Sequence, residues 1–180
     1  MTRWRRGLCL ALATVLGCGA GPALAYRLDV PAVSAIGLGT IVADSSVLVF
    51  SVNAASGMVT RISGTAIRLT SGTVTTPTVT ITCATGGGGG NCKRTFVVQI
   101  LAGSTVSGRP TTITSLNVSN LSGAGVTFSP SSPTPGVPLT FDIVSSVNKF
   151  TVTFQVGLNA SFNASATTGN TDWTYVVSVS

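Results

Sequence analysis

Hydrophobic and polar residues alternate along most of this chain. The clearest run covers residues 150–158, where every second residue is large and apolar. Similar runs cover residues 58–69 (around Gly64), 78–83, 94–101, 111–118, 137–143 and 173–179, and residues 47–52 form a short apolar strand pattern. A period of two predicts strands with one buried and one solvated face. Their short spacing predicts an all-β fold, an antiparallel β-sandwich or barrel.

The segments between these runs look like turns and loops, and no run has the period of a helix. Residues 129–138 contain four prolines, which excludes a central strand and predicts an ordered loop. Residues 145–149 are short and polar, which predicts a hairpin connection between the strands on either side.

The N-terminal segment has the features of a secretory signal peptide. Residues 2–6 carry three arginines, residues 8–16 are apolar, and residues 23–25 read Ala-Leu-Ala. Small residues three and one positions before a bond are typical of a cleavage site. The sequence therefore predicts cleavage between Ala25 and Tyr26.

The predicted organisation is a signal peptide over residues 1–25 and a single β-sandwich domain over residues 26–180. The signal peptide predicts secretion. A second interpretation stays open, because residues 15–18, Val-Leu-Gly-Cys, resemble a lipobox. Processing there would leave a lipid on Cys18 and make the protein a lipoprotein.

Charge gives no sign of a nucleic-acid partner. The whole chain has a formal net charge of +6, but from Tyr26 onward only seven basic and four acidic residues remain, a net charge of +3. These charges are scattered rather than clustered, unlike the basic face of a nucleic-acid-binding protein.

Two cysteines remain after the predicted cleavage, Cys83 and Cys92, on either side of five consecutive glycines. An exported protein folds in an oxidising compartment, where such a pair forms a disulfide. Cys83 falls on the same predicted strand face as the apolar residues Val79 and Ile81. Cys92 falls on the same predicted face as Phe96, Val98 and Ile100. We therefore expect the two cysteines to meet across adjacent antiparallel strands and to staple a hairpin tip, with Lys93 and Arg94 as its solvated flank.

The side-chain inventory argues against an enzyme. The chain has no His and no Glu, and its four aspartates are far apart in sequence, whereas acid–base catalysis commonly uses His or paired carboxylates. Residues 146–149 fit the S-x-x-K nucleophile pattern, but that pattern needs a helix start and here falls in a predicted turn. We predict no catalytic residue.

The same inventory gives no cofactor or metal site. The glycine run lacks the Gly-Lys-Ser/Thr ending of a phosphate-binding loop, because Cys92 precedes Lys93. Two thiols without His cannot complete a four-ligand zinc site. We predict no cofactor and no metal.

Three stretches resemble a bacterial family called domain of unknown function 4402. Residues 37–46, GLGTIVADSS, resemble its F-G-T-I-V-x-G-x opening, with Leu38 in place of the usual Phe. Residues 54–83 are similar in the order of strands and glycine-rich turns. Residues 150–180 resemble its closing hairpin and final strand, although residues 171–173 replace the family's G-x-Y.

The family is similar to secreted pilins of the chaperone–usher type, including the spore coat protein U group. The resemblance implies an immunoglobulin-like β-sandwich and a structural role in a fimbrium or at the cell surface, without enzymatic activity. It also implies a location in the periplasm or at the bacterial cell surface. It implies copies of the chain or related pilin subunits as partners, together with a periplasmic chaperone and an outer-membrane usher.

Such pilins accept an extended N-terminal strand from the next subunit. In this chain Leu28 and Val30 alternate with polar residues, and Val33 begins a second register beyond Pro31, so these three are the candidate donor residues. Pro31 shortens the ladder that such a strand can form. An ordinary first strand of the chain's own sheet is the simpler alternative. The alternative function is a self-contained secreted or lipid-anchored binding module, adhesin-like, that recognises a protein or glycan.

Overall fold

The computed structural model describes residues 26–30, 34–42, 46–85, 91–105, 111–163 and 168–180. These residues form strands, and none of them lies in a helix long and apolar enough to cross a membrane. The strands are β1 (Tyr26–Asp29), β2 (Ser34–Val42), β3 (Leu48–Val52), β4 (Val59–Ser63), β5 (Ile67–Arg68), β6 (Thr78–Thr85), β7 (Thr95–Thr105), β8 (Thr111–Gly123), β9 (Val126–Ser129), β10 (Leu139–Ser145), β11 (Phe150–Phe162) and β12 (Gly169–Val179).

The strands form two antiparallel sheets of six. In the first sheet β11 is central, with β8 along one side and β6 and β3 end to end along the other. β1 pairs with the outer side of β6, and β4 with the outer side of β3. The second sheet has the order β5-β2-β12-β7-β10-β9. The predicted all-β antiparallel sandwich is confirmed.

Aromatic side chains join the two sheets along the whole length of β11. Phe150 contacts Phe96 with ring centroids 5.4 Å apart, and Phe154 contacts Phe141 at 5.5 Å. At the far end, Phe162 contacts Trp173 at 5.3 Å. All three pairs are edge-to-face, an arrangement that adds about 0.5–1.5 kcal/mol per pair beyond simple burial. The predicted apolar faces of β6, β7, β10 and β11 are therefore the core.

The sequence-based expectation of a hairpin between β10 and β11 is wrong. β10 pairs with β7 and β9 in the second sheet, whereas β11 lies in the first. Residues 146–149 therefore carry the chain from one sheet to the other. Among the described strands, only β3 with β4 and β9 with β10 are both consecutive and paired. Alternation identifies a buried face, but it does not identify the neighbouring strand.

The run at residues 58–69 holds two strands, β4 and β5, in different sheets. Gly64 lies at the switch with φ of +83°, and a Cβ there would lie 2.6 Å from the Cβ of Leu48. Only glycine fits both the left-handed backbone and the close approach. Val47 and Val137, which we expected inside strands, precede β3 and β10 and are exposed.

Candidate functional site

The candidate donor segment forms β1, an edge strand of its own domain. β1 pairs with β6 over four residues, from Tyr26 opposite Thr85 to Asp29 opposite Thr82. Tyr26 and Leu28 are half-buried and pack against the core, whereas Arg27 and Asp29 are exposed. This alternation follows the pattern in the sequence, since apolar side chains recur at every second position.

The other candidate donor residues extend beyond this strand. Val30 is half-buried but follows the last residue of β1. Val33 lies outside the described residues, as do Cys18, Ala25 and the whole predicted signal peptide.

Tyr26 anchors the start of β1 through two ring contacts. Its ring meets Phe96 of the second sheet edge-to-face at 5.6 Å between centroids. The guanidinium carbon of Arg94 lies 4.6 Å from the centre of the same ring, a cation–π distance. Arg94 is therefore more than a solvated flank. Sequence reasoning missed this contact because β1 and Arg94 lie far apart along the chain.

Cys83 and Cys92 form the predicted disulfide beneath β1, with Cα atoms 6.1 Å apart. Both cysteines are buried, and Cys83 lies between Leu28 of β1 and Phe150 of β11. The expected setting of this bond was wrong, however. β6 belongs to the first sheet and β7 to the second, so the two strands form no hairpin, and the bond links β6 to the connection that precedes β7.

Cys92 itself precedes β7 and takes no part in the ladders that β7 forms with β10 and β12. Its backbone N–H donates to the carbonyl of Asn148 at 3.0 Å. Ser145 N–H donates to the carbonyl of Arg94, also at 3.0 Å. The connection before β7 therefore pairs with the end of β10 and with the connection before β11, and the disulfide closes this end of the sandwich under β1. The glycine run at residues 86–90 lies outside the described residues.

The described acidic side chains are dispersed, so this site contains no pair of carboxylates. Asp29, Asp142 and Asp172 lie on β1, β10 and β12, and the part of the chain that is described contains no cluster of three or more potential metal ligands. The Ser146–Lys149 pattern lies in the connection between sheets, where the Ser146 hydroxyl donates to the carbonyl of Gly125 at 3.0 Å. The contacts at the β1 edge are the backbone ladder to β6, the packing of the Tyr26 ring against Phe96, and the Arg94 guanidinium over the Tyr26 ring.

Comparisons with protein families, with curated proteins and with solved structures find no match to this chain.

Proposed function

We propose that this protein is a secreted, non-enzymatic, pilin-like structural subunit of the bacterial cell surface that assembles with its own copies through its N-terminal strand. The observation that carries the proposal is the way β1 is held. It pairs with one neighbour, through four residues, and contributes half-buried Tyr26 and Leu28 to the core. Its partner β6 lies far along the chain, so no hairpin ties the two strands together.

Exchange of such a strand between molecules costs little free energy. The β1 of a second copy would make the same ladder to β6 and the same contacts with Phe96 and Arg94 as the molecule's own β1. An exchange that preserves all contacts is a low-cost route to an assembly. If each chain gives its strand to the next and accepts one from the previous, the arrangement is head-to-tail and builds a fibre.

When β1 is donated to another molecule, the edge of β6 becomes available to a strand from the other expected partners. A strand from a related subunit, or from a periplasmic chaperone, would find the backbone groups of Thr82–Thr85 and an apolar slot beside Cys83. Recognition by strand addition uses backbone hydrogen bonds for affinity and alternate side chains for specificity. Leu28 and Tyr26 are the side chains that such a partner would have to imitate.

Cysteine cross-linking tests strand donation directly. Asp29 and Thr82 face each other across the β1–β6 ladder on its outer side. We expect a mixture of the single variants Asp29→Cys and Thr82→Cys to form a covalent heterodimer on mild oxidation after co-refolding. Mass mapping of the peptides must find the native Cys83–Cys92 bond intact beside the new one.

The matched control replaces Thr82→Cys by Ser178→Cys, an exposed position on the second sheet. Mixing it with Asp29→Cys should give no heterodimer above background. If the Asp29→Cys/Thr82→Cys double variant forms only an internal bond, and the single variants never link, strand donation is wrong. A monomer whose melting is unaffected by a peptide of residues 26–36 would then favour the self-contained binding module.

A further inference from the structure

A cleft of about 380 Å³ opens between the edges of the two sheets, at the end of β11 opposite the disulfide. β4 of the first sheet contributes Val59 and Arg61 to its lining, and β5 of the second contributes Ile67 and Arg68. Phe50 also lines the cleft and belongs to the buried core. The volume falls in the range of small-molecule sites, which combine apolar walls with a few convergent polar groups.

Both arginines are held in place by backbone carbonyls. Arg61 Nη1 donates to the carbonyl of Thr65 at 3.3 Å and to that of Ala66 at 3.0 Å. Arg68 donates from Nε to the carbonyl of Leu38 at 2.7 Å and from Nη1 to that of Gly72 at 2.8 Å. These acceptors are neutral, so both guanidinium groups are oriented without being neutralised. An oriented group loses less freedom when it binds a ligand.

The two positive charges at this cleft have no anionic partner among the described residues. Asp29, Asp142 and Asp172 are the described carboxylates, and none of them lines the cleft. Burial lowers the pKa of Arg68 below its ordinary value, because desolvation disfavours the charged form. A bound anion would compensate both charges. Val59 and Ile67 supply apolar walls for the carbon skeleton that carries such an anion.

We propose that this cleft binds a small carboxylate-bearing ligand between Arg61 and Arg68. The hydrogen bonds of the described residues leave the Nη2 group of each arginine unused. A guanidinium presents its N–H groups in a planar fork that matches the two oxygens of a carboxylate. The carboxylate can belong to an aliphatic acid or to an acidic sugar, and the chemistry at the arginines is the same for both.

An NMR titration tests the proposal. The protein is expressed with its complete N-terminal segment and is purified without any added proteolytic step. The probes are hexanoate and D-glucuronate, with hexanamide and D-glucose as their uncharged counterparts. We expect saturable shifts of backbone amides in residues 65–70 with a carboxylate probe and none with its uncharged counterpart. The carboxylate that binds more tightly identifies the aliphatic or the sugar source. Shifts that never saturate, or that the uncharged compounds reproduce, overturn the proposal.

Variants then locate the binding. Arg61→Ala should weaken the binding about 10-fold or more, the usual loss for a charge-assisted hydrogen bond. Lys93→Ala removes the same charge from an exposed position outside the cleft and should change the affinity less than about twofold. If Arg61→Ala alters the amide spectrum beyond the cleft, Arg61→Lys keeps the charge, loses the fork and should still weaken binding several-fold. Wild-type affinity in the folded Arg61 variant overturns the proposal.

Discussion

β1 and β4 both lie at the same edge of the first sheet, yet they are held there in different ways. β1 turns Tyr26 and Leu28 toward the core, above the disulfide. In β4 only Val59 is half-buried, the other four residues are exposed, and Ile62 bulges out of the ladder to β3. β4 is joined to β3 by a tight hairpin, in which Asn53 N–H donates to the Met58 carbonyl at 2.9 Å.

The difference separates two ways of protecting a sheet edge. Chain connectivity holds β4, and its bulge blunts the edge against further pairing. Side-chain packing and a short ladder hold β1, so the identical segment of another molecule could replace it. The predictions below test this contrast, from the largest expected effect to the smallest.

Removal of the disulfide should have the largest effect. The Cys83→Ala/Cys92→Ala variant should lose about 2–3 kcal/mol of unfolding free energy, because the bond no longer restricts the unfolded chain. Urea denaturation followed by tryptophan fluorescence measures the loss, and reduction of the wild-type protein should lower the urea midpoint in the same direction. An unchanged midpoint would mean that the bond does not support the β1 end.

Shortening one apolar side chain in each of the two edge strands should lower the unfolding free energy by unequal amounts. Leu28→Ala should cost about 1–2 kcal/mol, since a half-buried side chain loses part of the cost of a core truncation. Ile62→Ala is the matched control in β4, where the side chain is 61% exposed, and it should change stability by less than about 0.5 kcal/mol. Equal losses from the two variants would remove the contrast between the strands.

The cation–π contact should have the smallest effect. Arg94→Ala should cost about 0.5–1 kcal/mol, the range for such a contact at an exposed site. Lys93→Ala removes a neighbouring exposed charge that makes no cation–π contact with a described ring, and it should be close to neutral. Denaturation at matched ionic strength measures both variants. A Lys93 variant as destabilised as the Arg94 variant would point to net charge rather than to the Tyr26 ring.

The sequence predicted burial better than it predicted pairing. Phe96, Val98 and Ile100 are fully buried, as alternation predicts, because a strand has only two faces and the apolar one turns inward. The neighbour of a strand depends on contacts far along the chain. This is why β10 and β11, adjacent in sequence, were wrongly expected to form a hairpin.

At the candidate site, the sequence likewise predicted which residues are buried but not which distant segments they meet. The cysteine count and the expectation of export indicated the bond between Cys83 and Cys92, which the structure contains, and the sequence pattern selected Leu28 as an inward residue. The cleft at Arg61 and Arg68 could not be predicted, because it forms where edges of different sheets meet. Single arginines, one exposed and one half-buried, carry no sequence signal for such a meeting point.

The central position of β11 also determines when the domain can fold. β6, β3 and β8 all pair with β11, and all three precede it along the chain. During synthesis, a ribosome must therefore complete β11 before the first sheet can close. Such dependence on distant contacts is typical of slow folding. If the predicted leader directs export, the emerging chain stays in the unfolded state that a translocation channel requires.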